Sequence, residues 1–233
     1  MLFSTYEELD YVKDGITSHI AEQFDQHEYV FLGWGEYGFV YLFSVEPIRT
    51  QTDLQRTRFW VWDLDPVAKA FAARAGGEPV LLPIQNVLAS LQAEEIQTIP
   101  SSPLACIALQ WHPELNYMTD MRLSAGVGAT VLNKARFDGL STEHQDLLKR
   151  TVRKYHEQLS VKVREENEKS IETLLGRGIE VLTVPEREQR KWRQVAGQVQ
   201  DQFVGVLYSQ ELLEQVRSLL DQYRQDGKRS APN

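Results

Sequence analysis

The chain holds one cysteine, Cys106, among its 233 residues, so no intrachain disulfide can staple it. It has no uninterrupted apolar run of about 18 residues, the length a membrane-spanning helix needs. It also lacks an excess of positive charge. Lys and Arg number 25 against 33 Asp and Glu, a formal net charge of −8. That balance argues against a nucleic-acid footprint or attraction to an anionic membrane surface. The first residues, MLFSTYEELDYVKD, lack the basic and apolar regions of a signal peptide. Taken alone they predict a soluble protein that is not exported.

Catalytic constellations are missing too. Cys106 and His112 lie six apart, not at the i, i+4 spacing that brings helix side chains together. The five histidines show no metal-ligand spacing with the single cysteine. Paired acids such as Glu94 and Glu95 read as solvated helix surface. Gly33, Gly35 and Gly38 form a GxGxxG string, but the residues that follow, Phe39 to Phe43, are β-formers. A dinucleotide fingerprint needs a helix N-terminus for the pyrophosphate, so the string is rejected as one. The expectation is a non-enzymatic protein with no metal and no cofactor.

What is present is an ordinary globular composition, 42% apolar and 25% charged. Ser4 and Glu7 match a capping box ahead of an amphipathic helix, with a second helical segment through Phe24. Tyr29 to Leu32 reads as a strand, and the glycines after it as a turn or a close approach to a ligand. Thr57 to Asp63 alternates, placing Arg58, Trp60 and Trp62 on one strand face and Phe59 and Val61 on the other. Asp65 then caps a helix whose first residue is Pro66 and which stops at Gly76 and Gly77. A strand over 79–82 and a helix over 86–95 complete a βαβα unit, which favours a parallel sheet with ligands outside the carboxyl ends of its strands. Trp60 and Trp62 lie near such an end. They are either core aromatics covering the sheet or ligand platforms.

Further strands are expected over 96–99, 125–132 and 179–184. A helix over 104–111 precedes Pro113. Ser141 caps a helix that runs without Gly or Pro to Leu175, roughly 35 residues or about 50 Å at 1.5 Å per residue. That exceeds the width of a small domain and suits an element joining two lobes. Ser209 caps a last helix over 210–223, and the tail over 226–233 reads as disordered.

Several of these patches resemble, in order and spacing, the solute-binding proteins of TRAP transporters. They are YEELDYV over 6–12, FSVEPIRTQTDLQ over 43–55, Gly77 to Val80 with VLASLQ over 87–92, and Phe137 with Leu140 ahead of the long helix. The resemblance implies a two-lobed periplasmic-binding-protein-like α/β fold with a long connecting helix. Residues 1–43 and 124–165 would form the remainder of lobe one, and residues 44–123 and 166–225 lobe two. It implies lobe closure over a ligand, with flexing near Phe43–Ser44 and Leu123–Ser124. It also implies a periplasmic location and membrane permease subunits as partners. Family members carry an export signal and a first βαβ portion ahead of the region that Met1 matches, so the first lobe is expected to be incomplete.

One departure bears on the ligand. The family's carboxylate-binding arginine falls, by resemblance, at Trp60, and further polar or cationic contacts fall near Val40 and at Pro100 or Ser101. None of these is basic, which implies a subgroup lacking that arginine. Arg58, two residues away on the same strand face, is the substitute within reach. The expected site is an aromatic cleft between the lobes, lined by Trp34, Phe39, Trp60 and Trp62, with Glu36, Asp63 and Ser101 as polar groups. Such a cleft suits an apolar, neutral or cationic ligand, because a desolvated carboxylate without a cation costs several kcal/mol. Two alternatives stand beside the receptor reading: an interaction module docking a helical-repeat partner, and a non-functional fragment of such a receptor.

Overall fold

The computed structural model describes residues 1–230. In chain order the elements are α1 (Tyr6–Gln26), β1 (Tyr29–Ser44), α2 (Gln51–Leu54), β2 (Arg58–Trp62), α3 (Pro66–Ala75), β3 (Glu78–Leu82), α4 (Val87–Gln92), β4 (Thr98–Ser101), α5 (Pro103–Ala108), β5 (Tyr117–Thr119), β6 (Ser124–Asn133), α6 (Lys134–Asp138), α7 (Thr142–Gly176), β7 (Glu180–Leu182), α8 (Glu186–Gln202) and α9 (Gln210–Ser230). The fold class is α/β, as expected. The chain divides into two compact units. Unit one comprises Met1–Leu2, Phe39–Ser124 and Glu165–Leu207; unit two comprises Phe3–Gly38, Ala125–Arg164 and the chain from Tyr208 on. The last helix differs: α9 goes with α1 in unit two, not with residues 44–123.

Unit one is built on a sheet in the order β3-β2-β4-β1-β5-β7. β2 runs parallel to β3 and β4, as the βαβα pattern predicts, and β5 is parallel to β7. The parallel pattern does not extend to β1, which lies antiparallel to both β4 and β5. Strand pairing gives the sheet two distinct faces. Leu42, Phe59 and Val61 point to one, where they pack with Ile48, Leu54, Ala72, Ala75 and Trp192 in the apolar core under α3 and α8. The register Tyr41↔Ser101, Phe43↔Ile99 and Phe59↔Thr98 puts Phe39, Tyr41, Phe43, Ile99, Ser101, Trp60 and Trp62 on the other.

Local chemistry accounts for the elements around β2. Asp65 caps α3 by accepting from the Ala68 N–H at 2.9 Å, Pro66 opens it, and Gly76 ends it in the left-handed region at φ 77°. Gly77 lies flat against Phe59, whose ring a Cβ there would meet at 2.7 Å.

In unit two the segment expected as strand then turn is one continuous strand. β1 runs through Gly33, Gly35 and Gly38, and its first half pairs with β6. Gly33 serves packing, since a Cβ there would lie 3.2 Å from the His156 ring of α7, and Gly38 holds the left-handed region at φ 98°. The expected break in the first helix is also absent. α1 passes through Gly15 because a missing side chain there admits Leu219 of α9, whose methyl would sit 2.6 Å from a Cβ. Its cap is Thr5, not Ser4: the Thr5 hydroxyl accepts from Glu8 N–H at 3.2 Å, and the Glu8 carboxylate reaches back to the Ser4 N–H. Finally, α9 extends to Ser230, so residues 226–230 are helical and not a disordered tail; residues 231–233 of that stretch lie outside the described residues.

The Asp65 cap yields a direct test. Asp65→Ala leaves the Ala68 N–H without its partner and should lower stability by about 1 kcal/mol in urea unfolding, with an unchanged m-value.

Candidate functional site

Four of the seven residues singled out in the sequence share one sheet face in unit one: Phe39, Trp60, Trp62 and Ser101. They differ sharply in what they touch. Trp60 is 6% exposed; its indole N–H donates to the Leu82 carbonyl at 2.9 Å, and its ring meets Trp111 edge-on at 5.4 Å between centroids. The polar handle that a buried tryptophan needs is thus supplied by the neighbouring strand. Trp62, two residues on, is 47% exposed. Ser101 is buried opposite Tyr41, and its hydroxyl donates to the Ser102 carbonyl at 3.0 Å. Asp63 follows Trp62. Its backbone carbonyl accepts from the Lys69 ammonium, while Oδ1 is shielded from solvent with no hydrogen-bond partner among the described residues.

Trp34 and Glu36 belong to unit two. The Trp34 indole donates to the Thr17 hydroxyl at 2.9 Å, and Phe31 packs edge-on against its ring. Glu36, whose side chain is 1% exposed, accepts from Lys13 at 3.1 Å and from both Nε and Nη2 of Arg164. Arg164 also forks onto Asp10 at 2.7 and 2.6 Å and stacks on Tyr6 at 4.4 Å. Two carboxylates and two cations therefore neutralise one another. Burial opposes ionisation of Asp10, but the hydrogen bonds from Arg164 and Lys13 outweigh it and hold its carboxyl below the usual range. The hydrogen bonds it donates to Asp10 and Glu36 in turn raise the pKa of Arg164 further above its ordinary value. Glu36 is legible in the sequence only as an acid among aromatics. Its partners come from α1 and α7, so no local pattern announces them.

A second group was not legible at all. Arg122, between β5 and β6, lies with its guanidinium carbon 4.3 Å over the centre of the buried Phe39 ring, and its Nε donates to the Tyr41 hydroxyl at 3.2 Å. The backbone around it is pinned. Leu123 N–H donates to the Val40 carbonyl at 2.8 Å, the Thr119 hydroxyl accepts from Leu42 N–H, and Asp120 Oδ1 accepts from Val184 N–H at 3.0 Å. Arg58, the expected substitute cation, is exposed and spends its guanidinium on the Glu94 carbonyl.

Cys106 is fully buried in α5, and that burial pushes its thiol up to about 12. A thiol so protonated is no nucleophile near neutral pH. Among the described residues no group of three His, Cys, Asp or Glu side chains could hold a metal ion, and no helix is long and apolar enough to cross a membrane.

Two experiments follow from these environments. Trp60→Ala opens a core cavity and orphans the Leu82 carbonyl, so it should cost about 3–5 kcal/mol in chemical unfolding. Trp62→Ala should stay within about 1 kcal/mol. Equal losses would mean that the two indoles share one environment. Iodoacetamide at pH 8 should leave Cys106 unmodified in the native protein and label it promptly in denaturant, as read by intact mass.

Likenesses to solved proteins match this architecture. A TRAP periplasmic solute-binding protein from Ochrobactrum anthropi, with its C-terminus in the ligand-binding pocket, superposes at TM-score 0.86 with 18% identity, over 97% of this chain and 71% of its own. The periplasmic ectoine-binding protein of the TeaABC TRAP transporter of Halomonas elongata gives 0.85 and 19% over 94% and 74%. A TRAP solute-binding protein from Shewanella oneidensis with bound succinate gives 0.84 and 16% over 94% and 72%. At such identities the likeness speaks for the fold alone. No curated protein matches the chain in sequence. The family model for "bacterial extracellular solute-binding protein, family 7" matches residues 1–205. With that match running from α1 to beyond α8, the chain belongs to the family 7 bacterial extracellular solute-binding proteins.

Proposed function

We propose that this chain is the extracytoplasmic receptor of a TRAP-type secondary transporter, delivering a small solute to membrane permease subunits. The observation that carries the reading is the family match over residues 1–205 on a fold shared with TRAP solute-binding proteins. Those proteins bind ligands and are not enzymes, in keeping with a protonated Cys106. Family membership supports a location outside the cytoplasmic membrane. No observation of its own favours docking to a helical-repeat protein.

Two ligand readings rest on different residues. The first is an apolar, neutral or cationic solute, supported by the absence of a basic side chain at Val40, Trp60, Pro100 and Ser101. Within it the neutral and apolar forms are the stronger. Glu36, the acid expected to meet an ammonium, is already compensated by Lys13 and Arg164. The second is an anionic solute, supported by the placement of Arg122 over Phe39. Each of the two H. elongata and S. oneidensis relatives has its own solute, ectoine and succinate respectively, so fold likeness does not choose between the readings.

The receptor reading is tested on the purified full chain by thermal shift and calorimetry against organic acids, zwitterions and neutral aromatic compounds. One class should bind at one site per chain with micromolar affinity, raise the melting temperature as binding to the native state requires, and change tryptophan fluorescence. Failure of every class at millimolar concentration would sink the receptor assignment.

A further inference from the structure

Three of the passages of the chain between its two units run along β1 at 38/39, β6 at 124/125 and α7 at 164/165. On the unit-two side the passages through β1 and α7 are bound to each other. Arg164 is the last residue of α7 in that unit. It donates from Nε and Nη2 to the two oxygens of Glu36 at 2.5 and 2.9 Å, and Glu36 stands just ahead of Gly38. The other edge of the same guanidinium forks onto Asp10 of α1 at 2.7 and 2.6 Å, and Tyr6 covers its face. Lys13, also on α1, bridges Asp10 and Glu36 at 3.1 Å to each. A planar guanidinium can hold two carboxylates by its two edges in this way; an ammonium cannot. The passage through β6 is joined to the same point. The Tyr37 ring lies against Gly126, where a Cβ would meet it at 2.1 Å.

On the unit-one side each passage is pinned again almost at once. Phe39 is buried directly after Gly38. The Leu123 N–H donates to the Val40 carbonyl at 2.8 Å. Asn167, 4% exposed, accepts from the Leu104 N–H of α5 at 3.1 Å. What lies between the two sets of anchors is short: Gly38 in β1, Ser124 and Ala125 in β6, Glu165 and Glu166 in α7. These links differ in stiffness. Gly38 sits at φ 98° and can change its dihedrals without a Cβ to obstruct it. α7 carries no Gly or Pro there, so it can bend only gently.

We propose that the Glu36–Arg164 cluster is a hinge clamp. It fixes the unit-two ends of β1 and α7 to α1 and to one another, so that movement of one unit against the other is confined to the residues just beyond it, with Gly38 as the yielding point. The proposal goes beyond the receptor reading and holds whichever solute is bound. Without the clamp, bending spreads back along β1 and α7 into unit two.

The test uses the full chain without ligand. Spin labels at Ser18→Cys on α1 and Ala93→Cys in unit one, both exposed positions, report the distance between the units by pulsed electron spin resonance, while the buried Cys106 stays unlabelled. Hydrogen exchange reports local opening. Arg164→Lys keeps the charge and loses the double fork. The distance distribution should broaden, and amides over 33–37 and 160–164 should exchange about 10-fold faster. Arg164→Met leaves the buried Glu36 without its main cation and should speed those amides on the order of 100-fold. Tyr6→Leu removes only the stacking and should fall between wild type and Arg164→Lys, which keeps the proposal testable if the Arg164 variants do not fold. Glu8→Gln breaks the Glu8–Arg224 pair between α1 and α9, which touches none of the three passages. It should speed exchange in α9 and leave the distance distribution as in wild type.

The clamp is overturned if folded Arg164→Lys and Tyr6→Leu keep the wild-type distance distribution, whatever stability they lose, or if Glu8→Gln broadens it as much as they do. Equal acceleration of exchange throughout unit two would make the cluster a general brace and would overturn the clamp as well. The receptor assignment, which is tested by ligand binding, is untouched by any of these results.

Discussion

Hydrogen bonding along β1 is the constraint on which the arrangement of residues in unit one depends. The second half of the strand lies antiparallel between β4 and β5, and this pairing sets the register on both sides. Side chains alternate with period two, so the register assigns each residue to a face without further choice. Leu42 is committed to the apolar core with Phe59 and Val61. Phe39, Tyr41 and Phe43 are committed to the opposite face with Ile99 and Ser101. A slip of one residue would exchange the two sets and part the Tyr41 hydroxyl from Arg122.

That division gives the two faces different contents. The face under α3 and α8 is filled by aliphatic and aromatic groups. The other face mixes a buried indole already satisfied by a strand carbonyl, a buried serine, an exposed indole and an arginine stacked on phenylalanine. Polar groups on an otherwise aromatic surface would suit a small-molecule site. Trp60 shows that membership of the face is not sufficient. Its ring is a structural wall, because both its edge and its N–H are consumed by Trp111 and Leu82.

Unit two follows a different rule. Its buried acid, Glu36, is matched by Lys13 and Arg164, and Arg164 is matched again by Asp10. A carboxylate of 1% exposure left with no cation would be severely penalised, so these four side chains act as one unit. A second pairing, Glu8 with Arg224, links α1 to α9. It explains why the last helix belongs with the first one, although nothing in the sequence of either indicates the other.

The sequence by itself determined the features that local chemistry controls. Asp65, Pro66 and Gly76 mark the ends of α3; Ser141 and Gly178 bracket α7; the alternation over 58–62 gives β2 and its faces; and the ordered motifs give the family. Each depends on residues a few positions apart, or on a pattern carried whole from relatives. Only the tertiary structure decided that the three glycines of β1 lie inside a strand, that Gly15 admits Leu219, and that Trp60 is core while Trp62 is exposed. It alone decided that Arg122 reaches Phe39 and that Arg164 reaches Glu36. The reason is common to all of these. Each is fixed by a partner far along the chain, and the identity of that partner follows from strand register and helix packing, not from any window of sequence.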